Sequence, residues 1–271
     1  MDIFTLQAGN SSPLIISSPH SGITVPDAIK DTFTPAGHDL CDTDWHVDKL
    51  YSDYVSANDA TFIRANYSRY VIDLNRPPDN QALYPGQAKV PLCPDFTFRE
   101  EPIYQDGLAP DEREIATRLK TYWQPYHDEI SAQIARVKAI HGYAILYDAH
   151  SIRQHIPLLF DGDLPDLNLG TANGASCAPQ VQNAAMAEIE KSAFSHVLNG
   201  RFIGGYITRH HGDPAHGVHA LQMEIVRSLY MDEEGYKYSP DRAAKLITCL
   251  NRVLNALTHH AGARVAAKAI R

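Results

Sequence analysis

The sequence predicts an α/β fold, a single domain over residues 1–271 in which a mixed sheet is flanked by helices, and three observations carry that expectation. Two apolar runs far apart in the chain, Leu14-Ile15-Ile16 and Tyr143-Ala144-Ile145-Leu146, read as buried strands. Each leads a histidine into a polar segment: His20 within Ser17-Ser18-Pro19-His20-Ser21-Gly22, and His150 within Tyr147-Asp148-Ala149-His150-Ser151. Between and after these runs, helical periodicity alternates with strand-like segments, which is the rhythm of an α/β sheet. Such folds keep their chemistry at the C-terminal ends of strands. A chain of 271 residues is long enough for one large domain with a full core.

Each element has its own justification. After the His20 turn, Gly22 and Pro26 mark a loop, and Val47, Leu50, Tyr51 and Tyr54 then fall on one helical face. Asp42-Thr43-Asp44 precedes that helix, where acidic and Thr side chains cap exposed amides. Thr61-Phe62-Ile63 and Tyr70-Val71-Ile72 read as strands joined by a turn at Asn66-Tyr67-Ser68. Pro77 and Pro78 keep the following segment out of a helix, and from Asp79 to about Pro110 the chain reads as a Pro-rich loop over the site.

From Asp111 to about Ile140 the pattern is helical, with a kink or break at Pro125 and a stop at Gly142 before the His150 strand. Leu158-Leu159-Phe160 and Leu167-Asn168-Leu169 are short strand candidates, and Gln180 to about Phe194 reads as a helix. Phe202 to Thr208 reads as a strand broken by Gly204-Gly205, followed by a turn cluster at Arg209-His210-His211-Gly212-Asp213-Pro214. His219 to Val226 alternates as a strand, with Leu221, Met223 and Ile225 on one face and Gln222 and Glu224 on the other. Ser239-Pro240-Asp241 opens a last helix that runs past Leu257 toward Gly262.

Composition excludes several classes of function. A net charge of -8 and a pI near 5.9 argue against a nucleic-acid partner, which needs clustered Lys and Arg. An anionic small substrate would instead need a local basic pocket. Cys41, Cys93, Cys177 and Cys249 are widely spaced and form no CxxC pair. With no signal-like start and no apolar run of ~18 residues, the expected compartment is the cytoplasm, with no membrane association.

The histidines suggest a metal. Catalytic zinc sites take three ligands from His, Asp and Glu and leave a fourth position for water. His20 and His150 supply two, and the carboxylates Asp42, Asp44 and Asp48 are the nearest source of the third, with Asp44 chosen among them. His46 and the pair His210-His211 remain possible ligands, although tandem residues in an extended segment face opposite ways. Hydrolysis of an amide also needs a proton acceptor, and Glu224 in its apolar strand is the candidate. Arg69 and Arg76 bracket a strand candidate, and Asn75-Arg76 offers an amide and a planar fork suited to a carboxylate.

Six segments in order, Ser-Pro-His20-Ser-Gly, Asp-Thr-Asp44-Trp, Asp-Leu-Asn75-Arg76-Pro, Asp-Ala-His150-Ser, Gly-Gly-Tyr-Ile-Thr-Arg209 and Leu-Gln-Met-Glu224-Ile, resemble the N-formylglutamate amidohydrolase (deformylase) family. The match runs from His20 to about Tyr230. It implies hydrolysis of N-formyl-L-glutamate to formate and L-glutamate in histidine degradation, on a zinc-carboxypeptidase-like (phosphorylase/hydrolase-like) fold shared with the aspartoacylases. It further implies one divalent metal, zinc, on His20, Asp44 and His150, with Glu224 as general base. Arg69 is expected to polarise the scissile carbonyl, and Asn75 with Arg76 to hold a carboxylate of a small anionic N-acyl amino acid. Arg209 is assigned to the second carboxylate.

The Asp44 assignment rests on the resemblance alone, because the position three residues after His20, acidic in the carboxypeptidase group, is Ile23. Rival readings are a hydrolase of another N-acyl amino acid, a carboxypeptidase-like peptidase, and a non-catalytic carboxylate-binding protein on the same fold. A serine hydrolase using Ser21 or Ser151 is disfavoured by the lack of a GxSxG elbow.

Overall fold

The computed structural model describes residues 2–82 and 90–269. Its centre is a seven-stranded mixed sheet of β1 (Phe4–Gln7), β2 (Leu14–Ser18), β3 (Thr61–Ala65), β4 (Ala144–Ile152), β5 (Leu167–Gly170), β6 (His196–Leu198) and β7 (Val218–Val226), in the order β1-β3-β2-β4-β7-β5-β6. The inner run β3-β2-β4-β7 is parallel, while β1 and β5 pair antiparallel with β3 and β7. Every residue of β2, β4 and β7 is buried, which is what continuous apolar runs in a sheet covered on both faces require.

Two layers of helix cover the sheet. The helices are α1 (Asp27–Lys30), α2 (Pro35–Asp39), α3 (Val47–Asn58), α4 (Glu112–Arg118), α5 (Gln124–His141), α6 (Pro179–Glu190), α7 (Tyr206–His211) and α8 (Pro240–Ala269). On one face α3, α6 and α8 pack against Leu14, Ile16, Ile145, Tyr147, Leu221 and Met223. On the other, Tyr126, Ile130, Ile134 and Val137 of α5 pack against Ile15, Ala144, Leu146, Val218 and Ala220. The expected division of β7 into two faces therefore holds, and so does the face of α3 carrying Val47, Leu50, Tyr51 and Tyr54.

Several elements differ from expectation for identifiable reasons. Tyr70-Val71-Ile72 is buried but forms a turn, not a strand. Side chains satisfy its carbonyls: the Tyr104 hydroxyl donates to the Tyr70 carbonyl (3.0 Å) and Arg118 Nη1 to that of Val71 (3.1 Å). Leu158-Leu159-Phe160 is likewise a turn, packed against Ile152 and Val226.

The segment expected as a broken strand and turn cluster instead contains α7. Its cap is remote: Asn75 Oδ1 accepts the Ile207 N–H at 2.8 Å from 132 residues away, a signal no local window contains. Asp42-Thr43-Asp44 does not cap α3, which starts after His46 in a left-handed conformation with φ 63° and no side-chain cap.

The break at Pro125 takes the form of a π-helical turn, Leu119–Trp123, joining α4 to α5, since a proline cannot donate the helical hydrogen bond. Gly142, at φ 80°, ends α5 as expected. The helix expected to reach about Phe194 ends at Glu190, and α8 continues beyond Gly262. In the expected loop from Asp79 to Pro110, residues 83–89 lie outside the described residues, and the rest carries isolated bridges only.

Candidate metal centre and active site

Residues two apart on a strand share a face. The face of β4 and β7 that begins with Leu146 and Ala220 against α5 therefore continues, past the end of that apolar layer, as Asp148 and His150 beside Gln222 and Glu224. The register sets Asp148 opposite Gln222 and His150 opposite Glu224. β2 runs parallel to β4 and ends two residues before His20, so both histidines emerge at the same edge.

There they meet Asp44. Ligand atoms of the buried residues His20, Asp44 and His150 all lie within 4.8 Å of one another. Asp44 Oδ2 is 3.6 Å from His20 Nδ1 and 3.1 Å from His150 Nδ1. The other ring nitrogen of each histidine is held by its own buried carboxylate, His20 Nε2 by Asp73 (2.7 Å) and His150 Nε2 by Asp148 (2.8 Å). An imidazole that donates from Nε2 keeps a lone pair on Nδ1, the tautomer a metal needs.

The carboxylates are themselves anchored. Asp73 accepts from Arg69 Nη2 (2.6 Å) and from the Asn75 backbone N–H (2.8 Å). Asp148 accepts from the Ser17 hydroxyl (3.1 Å) and from Asn75 Nδ2 (3.2 Å). The segment carrying Asp44 is clamped along its backbone: Arg227 donates to the Cys41 carbonyl (2.7 Å), and the Asp44 N–H to the His20 carbonyl (2.9 Å). The Tyr230 hydroxyl donates to the Trp45 carbonyl (2.9 Å).

Asp42, Asp44, Asp73, Asp148 and Glu224 are all buried together with the guanidinium groups of Arg69 and Arg227. Burial alone would raise the Asp44 carboxyl, but hydrogen bonds and charge from His150 and His20 hold it below the usual range. For His150, burial works against the charged form, and the neighbouring Asp148 and Asp44 outweigh it to push the imidazole well up. Glu224 goes the other way: burial pushes its carboxyl up to about 8 against the pull of His150. Two imidazole nitrogens and one carboxylate oxygen, with outer carboxylates in place, are a donor set that could hold a metal ion.

A cavity opens at the three residues, which form part of its lining. Its lining also includes the polar Arg69, Asn75, Arg76 and Glu224 and the apolar Phe98, Ile152, Leu159 and Phe202. Gln222, which sequence reasoning did not single out, bridges two parts of the wall. Its Oε1 accepts the Gly205 N–H at 2.6 Å, and its Nε2 lies 3.4 Å from Glu224 Oε2. Gly205 is needed for space, since a Cβ there would sit 2.3 Å from Asn75 Nδ2. Arg209 lies outside the lining residues, in α7, with its Nε–H donated to the Gly204 carbonyl (2.8 Å).

The remaining candidates are engaged elsewhere. His46 Nε2 meets the Tyr236 carbonyl, and His211 stacks on His127 inside the α5 layer. Asp42 accepts from the Tyr70 hydroxyl and the Phe98 N–H, and Asp48 pairs with Arg64. The Ser21 hydroxyl bonds that of Ser18, and Ser151 Oγ that of Tyr230. Asp148, the orienting partner of His150, was readable from its i, i+2 spacing on a strand; Asp73 was not, because its contact with His20 spans 53 residues.

Residues 12–231 match the family profile described as N-formylglutamate amidohydrolase. The chain is 47% identical over 247 residues to N-formylglutamate deformylase of Pseudomonas putida, covering 90% of this chain and 92% of that protein. To the enzyme of the same name from Pseudomonas aeruginosa it is 46% identical over 249 residues, with the same shares covered. Among solved structures, the N-formylglutamate amidohydrolase from Ralstonia eutropha JMP134 superposes with a TM-score of 0.80 at 25% identity, covering 93% of this chain and 96% of that one.

Proposed function

The chain belongs to the N-formylglutamate amidohydrolase family, and from that premise we propose that it hydrolyses N-formyl-L-glutamate to formate and L-glutamate with one divalent ion, zinc, held by His20, Asp44 and His150. The observation that carries this reading is the paired arrangement of the histidines. Each turns Nδ1 toward Asp44 and gives Nε2 to a separate buried carboxylate. An ion bound there supplies Lewis-acid chemistry, lowering the pKa of a water and polarising an amide carbonyl.

The chain's own residues do the rest. Glu224, which lines the cavity beside His150, takes a proton from the attacking water and returns it to the leaving amine nitrogen. Arg69, fixed by Asp73, supplies positive charge where the carbonyl oxygen becomes an oxyanion. Asn75 and Arg76 hold one substrate carboxylate at the cavity lining. Arg209 is the proposed partner of the second, although it lies in α7 outside the cavity lining with its Nε–H on the Gly204 carbonyl. The cytoplasm is the proposed compartment, supported by four buried free thiols and by the absence, among the described residues, of a helix long and apolar enough to cross a membrane.

The test is formate release from N-formyl-L-glutamate, with N-acetyl-L-aspartate and a dipeptide as alternative substrates. Selective turnover of the formyl compound is the expected result. Preference for either alternative would move the activity to another N-acyl amino acid or to a peptidase. Binding without turnover would leave only a carboxylate-binding protein. Arg209→Ala should raise KM for N-formyl-L-glutamate; an unchanged KM removes Arg209 from the site.

A further inference from the structure

Beside the catalytic cavity lies a second, more apolar pocket, lined by Val90, Pro91, Phe96 and Leu158 together with the acids Asp95 and Glu100. Among the described residues, Phe98 is the one that lines both cavities. We propose that Phe98 is a specificity-determining residue that restricts the acyl group to formyl by walling the catalytic cavity off from this pocket.

The ring is held, not merely present. Its backbone N–H donates to Asp42 Oδ2 (2.9 Å), and the same oxygen accepts from the Tyr70 hydroxyl (2.8 Å). The adjacent Thr97 is fully buried and its hydroxyl accepts the backbone N–H groups of Arg99 and Glu101, which tightens the turn. On its inner side the ring faces the Arg69 guanidinium, with Cζ 4.9 Å from the centroid.

This inference rests on the proposed roles of the metal triad and Arg69. With the substrate carboxylate at Asn75 and Arg76, and the carbonyl between the triad and Arg69, the remaining substituent on the carbonyl carbon is directed at the ring that covers Arg69. A hydrogen atom fits there. A methyl or ethyl group meets the ring, and the space that would accept it lies behind, in the second pocket. The reaction itself is unchanged for a longer acyl group: water adds its oxygen to the carbonyl carbon, the C–N bond breaks, and a carboxylate and L-glutamate leave. Only the room for the acyl chain differs.

The experiment compares kcat/KM for N-formyl-, N-acetyl- and N-propionyl-L-glutamate in the metal-loaded wild type, Phe98→Ala, Phe98→Leu and Phe98→Trp. Ratios measured on one preparation do not depend on its active fraction, so partial misfolding does not blur the result, and Phe98→Leu replaces Phe98→Ala if the latter does not fold. Removing the ring should raise the propionyl-to-formyl ratio by about tenfold or more, the scale on which one or two methylenes discriminate in a pocket. Phe98→Trp should not raise it. A smaller rise in the truncated variant, in a series whose wild type releases formate, overturns the inference and leaves the proposed activity standing. A wild type that releases no formate overturns both.

Discussion

His20 and Asp73 meet Nε2 to Oδ1 at 2.7 Å, both buried, and the second oxygen of the same aspartate carries Arg69 at 2.6 Å. One carboxylate therefore orients both the imidazole proposed to ligate the metal and the guanidinium proposed to face the oxyanion. Asp73→Asn keeps the shape but removes the charge, so it should weaken metal affinity by about 10–100-fold and lower kcat as well. Metal titration of the variant checks this, and an affinity equal to wild type would separate Asp73 from the metal site.

Glu224 stands opposite His150 in the strand register, with its carboxyl raised by burial. Glu224→Gln is nearly isosteric and should leave metal content intact and KM little changed while kcat falls by about 10²–10⁴-fold. A variant that keeps wild-type kcat would require another base.

Gly205 touches Asn75 with no room for a methyl group, a new Cβ falling 2.5 Å from Asn75 Oδ1. That oxygen also caps α7 through the Ile207 N–H. Gly205→Ala should therefore displace the Asn75 amide, lowering kcat/KM by about tenfold or more, because small misplacements in a positioned site are costly, and should reduce thermal stability. Wild-type kinetics would show that the wall yields without consequence.

Acid should expose a different weakness. His127 and His211 are buried against each other, Nδ1 to Nε2 at 3.1 Å, and His127 also donates to the Leu74 carbonyl. Burial holds both imidazoles neutral, lowering His127 from 6.5 to about 3 and His211 to about 2. Because the unfolded chain takes up these protons first, the stability they carry is present above about pH 6.5 and lost as pH falls toward 3. The slope approaches about 1.4 kcal/mol per pH unit for each imidazole in that window. Urea midpoints of wild type and His127→Gln/His211→Gln, compared from pH 7 to 4.5, isolate the pair from other groups. The difference between them should shrink on acidification, and a difference independent of pH would contradict the burial argument.

The central sheet and much of the site were legible in the chain because their signals are local. Leu14-Ile15-Ile16, Tyr143 to Leu146 and the alternation through Glu224 are patterns of burial that a strand must show, and strand ends are where His20 and His150 had to emerge. What escaped the sequence depends on distant partners. Tyr70-Val71-Ile72 looks like a strand until Tyr104 and Arg118 are seen to satisfy its carbonyls. Tyr206–His211 becomes a helix through a cap on Asn75, and Asp73 finds His20 only in the folded chain. The role of Phe98 as a shared wall is likewise a property of two cavities, not of a motif.

Formate release from N-formyl-L-glutamate, followed on metal-analysed protein before chelation, after it and after zinc is restored, is the most direct test. The prediction is about one divalent ion per chain, the stoichiometry of a three-ligand catalytic site, with turnover lost on stripping and recovered on addition. Turnover that persists in protein shown to be free of metal would contradict the assignment of His20, Asp44 and His150.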